Sequence, residues 1–70
     1  MAVDDLRLWR QFLAVADAGS MSRAAMELGL AQPALSRKIA DLEAALGSRL
    51  LERHSRGVSL TPAGELFKER

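Results

Sequence analysis

Gln32, Pro33, Ser36 and Arg37 fall within one short stretch, "GLAQPALSRKIADLE", of a 70-residue chain. Their chemistry suits the edges of base pairs. An arginine can donate a bidentate pair to guanine O6 and N7, and a glutamine can pair with adenine N6 and N7. Ser36 can reach a base edge or a phosphate, and Pro33 can pack on a thymine methyl. A plainer role competes for Arg37: Asp41 lies four residues on, at the spacing of a solvated ion pair on a helix surface, which contributes a few tenths of a kcal/mol.

Other chemistries lack their residues. There is no cysteine, which excludes disulfides and thiolate metal sites. The single histidine, His54, cannot build a metal site alone. No nucleophile-and-base arrangement, no carboxylate pair in a pocket-forming context and no glycine-rich phosphate loop is present, so an enzyme is not expected. No apolar run approaches the roughly 20 residues needed to span a bilayer. The start, "MAVDDLRLWR", lacks a basic segment followed by an apolar one, so it does not read as a secretory signal. The expected compartment is the cytosol, with no membrane partner and no cofactor in this chain.

The elements that must position the donors follow from periodicity and punctuation. Leu6, Trp9, Phe12, Leu13 and Ala16 recur at helical spacing, with Asp4 or Asp5 as cap and Gly19 as stop, giving a first helix over about 5–18. Its apolar stripe reads as core, Trp9 included. Ser20 or Ser22 caps a short second helix whose inner face is Ala24, Ala25 and Leu28, and Gly29 ends it. Gln32 is the expected N-cap of a third helix over 33–46, with Pro33 at its first position. Leu35, Ile39, Leu42 and Leu46 form its core face, and Gly47 ends it. "RLLER" and "GVSL", separated by "HSRG", read as two short strands joined by a polar turn. Such a ribbon must lean on the helices to persist. Thr61 then caps a last helix with Pro62 at its first position, running to the final residue. The fold class is mainly α: three helices, a two-stranded wing and the start of a linker helix.

Ala25, Gly29 and Leu35 have the spacing of a helix-turn-helix: a small residue for close approach, a glycine for the turn and a leucine to lock the second helix on the first. On a wheel of about 100° per residue, Pro33, Arg37, Ala40 and Ala44 point away from the core face, with Ser36 and Asp41 beside them. The exposed face is thus small except for one long cation near its leading end, the end that a recognition helix places nearest the bases. Lys38 lies toward the flank, as a phosphate contact at best. Ser20, Ser22 and Arg23 open the second helix, where the motif crosses the backbone; the two serines serve equally well as caps alone. Arg53 and Arg56 flank the wing turn and suit minor groove or phosphate, whereas His54 and Arg49 read as plain surface. Thr61 completes the set of candidate contacts. Charge agrees in its distribution more than in its sum. The net charge is only +1, but residues 47–70 hold five basic groups against three glutamates.

The stretch "GSMSRAAMELGLAQPALSRKIADLEAALGSRLLERHSRGVSLTPAGE" resembles the N-terminal DNA-binding domain of LysR-type transcriptional regulators. The resemblance covers the chain from about Leu6 to its end, and "AQPALSRKIADLE", "LGSRLLER" and "LTPAG" occur in order without gaps. It implies a winged helix-turn-helix over 1–60, with Gln32, Pro33, Ser36 and Arg37 at the groove and Arg53 in the wing. It also implies that 61–70 begins a linker helix that pairs with its twin in a homodimer, with tetramers at full length. Trp9 stands where the family usually has Leu, and Leu51 where it usually has Phe. Full-length members carry a C-terminal domain for a small effector, so these residues are expected to be the DNA-binding part of a longer protein. The function expected is sequence-specific binding of double-stranded DNA at a pseudo-palindromic operator. The alternative is a winged helix used only for protein interaction or dimerisation.

Overall fold

A computed structural model describes residues 3–69. Its order is α1 (Val3–Ala18), α2 (Met21–Leu28), α3 (Gln32–Leu46), β1 (Leu51–His54), β2 (Gly57–Leu60) and α4 (Pro62–Lys68). The strands form one antiparallel ribbon, with Leu51 opposite Leu60 and His54 opposite Gly57. This is the expected winged helix-turn-helix. α4 ends at Lys68 with Glu69 as its C-cap, short of the expected run to the final residue, and Arg70 lies outside the described residues.

The core is small and drawn from α1, α2, α3 and the start of the wing. Phe12, Val15, Met21, Ala24, Ala25, Leu35, Ile39, Leu42, Leu50 and Leu51 are buried together. Ala24 and Ala25 explain how α2 can be so short: without bulk, its backbone packs directly against α1 and α3. The stripe of α1 differs from the expected one. Leu6 is 44% exposed, and Val15 takes a place at the centre with Phe12. Gln11 is buried as well, its Oε1 without a hydrogen-bond partner among the described residues. Leu28 and Leu46 are likewise exposed, so the inner faces of α2 and α3 each end one turn earlier than the spacing suggests. The helix α1 already begins at Val3, which puts Asp4 and Asp5 inside its first turn and not before it.

The last helix is seated on the first by aromatic groups. The Trp9 indole donates to the Phe67 carbonyl at 3.4 Å. Phe12 and Phe67 meet edge to face with ring centroids 5.3 Å apart, a geometry that adds to simple burial. Lys68 and Asp17 pair at 3.8 Å on the same seam, exposed enough to contribute little. The wing leans as required: the Val58 N–H donates to the Gly19 carbonyl at 3.0 Å, and Leu51 turns inward while Glu52, Arg53 and His54 face out. Both departures from the family's usual residues, Trp9 and Leu51, are thus packing positions.

Candidate nucleic-acid interface

The turn between α2 and α3 depends on Gly29. Its φ of 71° is left-handed, which glycine adopts without strain. That conformation brings the Leu30 N–H to the Ala25 carbonyl at 2.9 Å and ends α2. The start of α2 is closed by Ser20, whose hydroxyl accepts from the Arg23 N–H at 3.2 Å. Ser20 and Ser22 also share a hydrogen bond, 3.2 Å between their hydroxyls. Ser20 is therefore the cap, while Ser22 and Arg23 stand exposed on the same turn.

The start of α3 departs from expectation. Its N-cap is Ala31, not Gln32, and no side chain caps it. The helical ladder begins where the Leu35 N–H bonds the Ala31 carbonyl at 3.1 Å. Pro33 therefore sits one place further in than the first position. That is tolerated because the first-turn N–H groups have no helical partner in any case. Gln32 is then the first helical residue, with its side chain exposed and uncommitted to capping. The N–H groups of Gln32 and Ala34 precede the first helical bond, at the positive end of the helix dipole.

Beyond that end the exposed face matches the wheel. Pro33, Arg37, Ala40, Asp41 and Ala44 are exposed and Ser36 is half-buried, while Leu35, Ile39 and Leu42 hold the other side. The competing Arg37–Asp41 pair does not form: among the described residues the ion pair is Lys68–Asp17. Lys38 is half-buried and lines a shallow cleft with Arg7, Leu8 and Asp41, which places it toward α1 and off the centre of the face.

The wing joins this surface through contacts that spacing did not foretell. Arg53 Nη2 donates to Ser36 Oγ at 3.1 Å, although the two stand 17 residues apart. The Glu43 carboxylate accepts from the Leu50 and Leu51 N–H groups at 2.8 and 3.1 Å, tying the last turn of α3 to the first wing strand. Glu43 left only a faint trace in the sequence: an acid near a helix C-terminus opposes the macrodipole, an effect that these two N–H groups offset. Arg56 is exposed in the turn, where its N–H donates to His54 Nδ1 at 3.3 Å. His54 thus shapes the turn and is more than plain surface.

Thr61 is the one candidate contact whose chemistry is already spent inside the protein. It is 8% exposed. Its hydroxyl donates to the Arg49 carbonyl and accepts from the Gly64 N–H at 3.0 Å. A phosphate offers only acceptors, and the single hydroxyl proton is in use. Thr61 serves as the cap of α4, with its hydroxyl held inside the protein. Gly64 beside it is required by close approach, since a Cβ there would overlap the Leu50 carbonyl oxygen. This is why no Glu occupies the strict capping-box position.

The comparisons with known proteins agree with this geometry. The family described as bacterial regulatory helix-turn-helix protein, lysR family, matches residues 6–65. The HTH-type transcriptional regulator BudR of Raoultella terrigena is 52% identical over 63 residues, which are 90% of this chain and 22% of BudR. The HTH-type transcriptional regulator XapR of Escherichia coli is 51% identical over 65 residues, 93% of this chain and 22% of XapR. This chain therefore spans about a fifth of the length of these relatives. Among solved structures, the CbnR_DBD–DNA complex matches with a TM-score of 0.86 and 49% identity, covering 90% of this chain and 72% of that one. The BenM_DBD/catB site 1 DNA complex matches with a TM-score of 0.87 and 50% identity, covering 91% and 72%. A family match over residues 6–65, most of the chain, places the protein in the lysR family of bacterial regulatory helix-turn-helix proteins.

Proposed function

We propose that this chain is a sequence-specific double-stranded DNA-binding domain of a transcription regulator. The leading end of α3 enters the major groove, and the wing meets the adjacent minor groove or phosphates. The observation that carries the reading is the joining of wing and helix at Arg53–Ser36, beside an α3 start that no side chain caps. Gln32, Pro33, Ser36 and Arg37 are the base-reading residues. Lys38, Ser20, Ser22, Arg23, Arg53 and Arg56 supply phosphate or minor-groove contacts, with Ser20 acting chiefly through its cap. Two relatives of known structure were solved with DNA under the same fold, which supports the assignment.

Residues 1–60 form the DNA-binding unit, and 61–70 begin a linker helix through which two copies pair. In support of pairing, Leu66 is 70% exposed on α4, and Leu46, Leu50, Ala63, Leu66 and Phe67 line one groove together with Ser48. A dimer reads a pseudo-palindrome with half-sites about one helical turn apart, and the whole protein forms tetramers. No cofactor acts in these residues; a small effector binds elsewhere in the whole protein. The site of action is the bacterial cytoplasm at the nucleoid, and no helix among the described residues is long and apolar enough to cross a membrane.

The test is selection of bound sequences from a random double-stranded pool, followed by titration of the winners across salt. A paired motif, bound more weakly as salt rises, is expected from phosphate contacts. Absence of salt-dependent binding at micromolar protein leaves the protein-interaction module as the better reading.

A further inference from the structure

The Arg53–Ser36 contact also fixes which way the serine can speak. A serine hydroxyl has one proton and two lone pairs, whereas a guanidinium has donors only. Arg53 Nη2 donates to Ser36 Oγ at 3.1 Å, and among the described residues it is the recorded partner of that hydroxyl. The contact occupies a lone pair and cannot take the proton. The Ser36 O–H is thereby left to donate outward, on the half-turn that also carries exposed Arg37. The remaining donors of the Arg53 fork stay free for phosphate, so both tasks are compatible.

We infer that Arg53 is a specificity-determining positioning residue: by engaging the acceptor side of Ser36, it presents that hydroxyl to the major groove as a donor, and the base opposite is selected for carrying an acceptor. The inference rests on the DNA reading above. In the major groove guanine offers N7 and O6, adenine offers N7 and thymine offers O4, while cytosine offers the N4 amino donor. With one lone pair held by Arg53 and its proton free, Ser36 is biased toward donating, which favours these acceptors over the cytosine amino group. A serine without Arg53 can turn its lone pairs outward and accept from that amino group.

The experiment is selection from a random double-stranded pool by the wild type, S36A, R53A and R53K at one salt concentration. S36A identifies the base position that Ser36 reads, as the position where bias against cytosine disappears. At that position R53A is expected to lose a bias of about fivefold, the equivalent of one net hydrogen bond. R53K, whose ammonium also only donates, keeps the bias. Two outcomes overturn the inference: R53A binding every sequence more weakly with the bias intact, or R53K losing the bias as R53A does. S36A altering no single position also overturns it, because Ser36 then meets phosphate or nothing. A wild type that enriches no sequence at all refutes the DNA reading itself, which is a distinguishable failure.

Discussion

Two helices in this chain start with nearly the same letters and end up with opposite tasks. "TPAG" opens α4 and "QPAL" opens α3. At α4, Thr61 is buried, accepts from the Gly64 N–H and donates to the Arg49 carbonyl, so the helix end is closed into the protein. At α3, Ala31 offers no side-chain oxygen, and Gln32, Pro33 and Ala34 are exposed. At α4 the Gly64 N–H of the first turn is satisfied by the Thr61 side chain, whereas no side chain takes a first-turn donor of α3. The difference arises from a one-residue shift in where proline falls. It also shows that a helix start can be stable without a cap when the face behind it, Leu35 and Ile39 here, is buried.

The largest effect is expected at the closed end. Gly64→Ala forces a methyl onto the Leu50 carbonyl and is expected to cost about 3 kcal/mol, measured by denaturant unfolding; an unchanged midpoint would show that α4 is not seated there. Next comes the tie between the recognition helix and the wing. Glu43→Ala leaves the Leu50 and Leu51 N–H groups without their carboxylate, and about 1.5–3 kcal/mol is expected to be lost, reduced where water can replace it. Amide exchange should rise first at Leu50 and Leu51. The smallest change sharpens the open end. Ala31 has extended backbone angles suited to a cap, so Ala31→Ser is expected to stabilise the fold by about 1 kcal/mol. The same variant should bind DNA more weakly, because the new hydroxyl occupies a first-turn donor. Stability gained with no loss of DNA affinity would mean that the open end is not used.

Much of this was legible in the letters because it rests on local rules. Gly29, Gly47 and Pro62 punctuate helices through backbone angles, and Leu35, Ile39 and Leu42 declare a buried face by spacing. The misplaced features were those in which two rules compete over one residue. Gln32 before Pro33 resembles a cap followed by its proline, but glutamine is a poor cap and proline fits anywhere in the first turn. Leu6 and Leu46 keep the period of their helices but overrun the packed region. Contacts between distant elements left almost no trace. Nothing local to Ser36 or Arg53 says that they meet, because the meeting depends on how Glu43 and Gly19 set the angle of the wing. For the candidate site, sequence named the exposed donors of α3, and only the fold separated them from Thr61.

The central claim is that the open end of α3 reads bases and does more than neutralise phosphate. Arg37 tests it most directly, being exposed and without an ion-pair partner among the described residues. The measurement is the affinity of wild type and Arg37→Ala for a selected duplex and for random duplex at one salt concentration. A loss of about 1–3 kcal/mol is expected on the selected duplex, with a much smaller loss on random DNA and relaxed preference at one base pair. An equal loss on both would contradict it and reduce Arg37 to a phosphate contact.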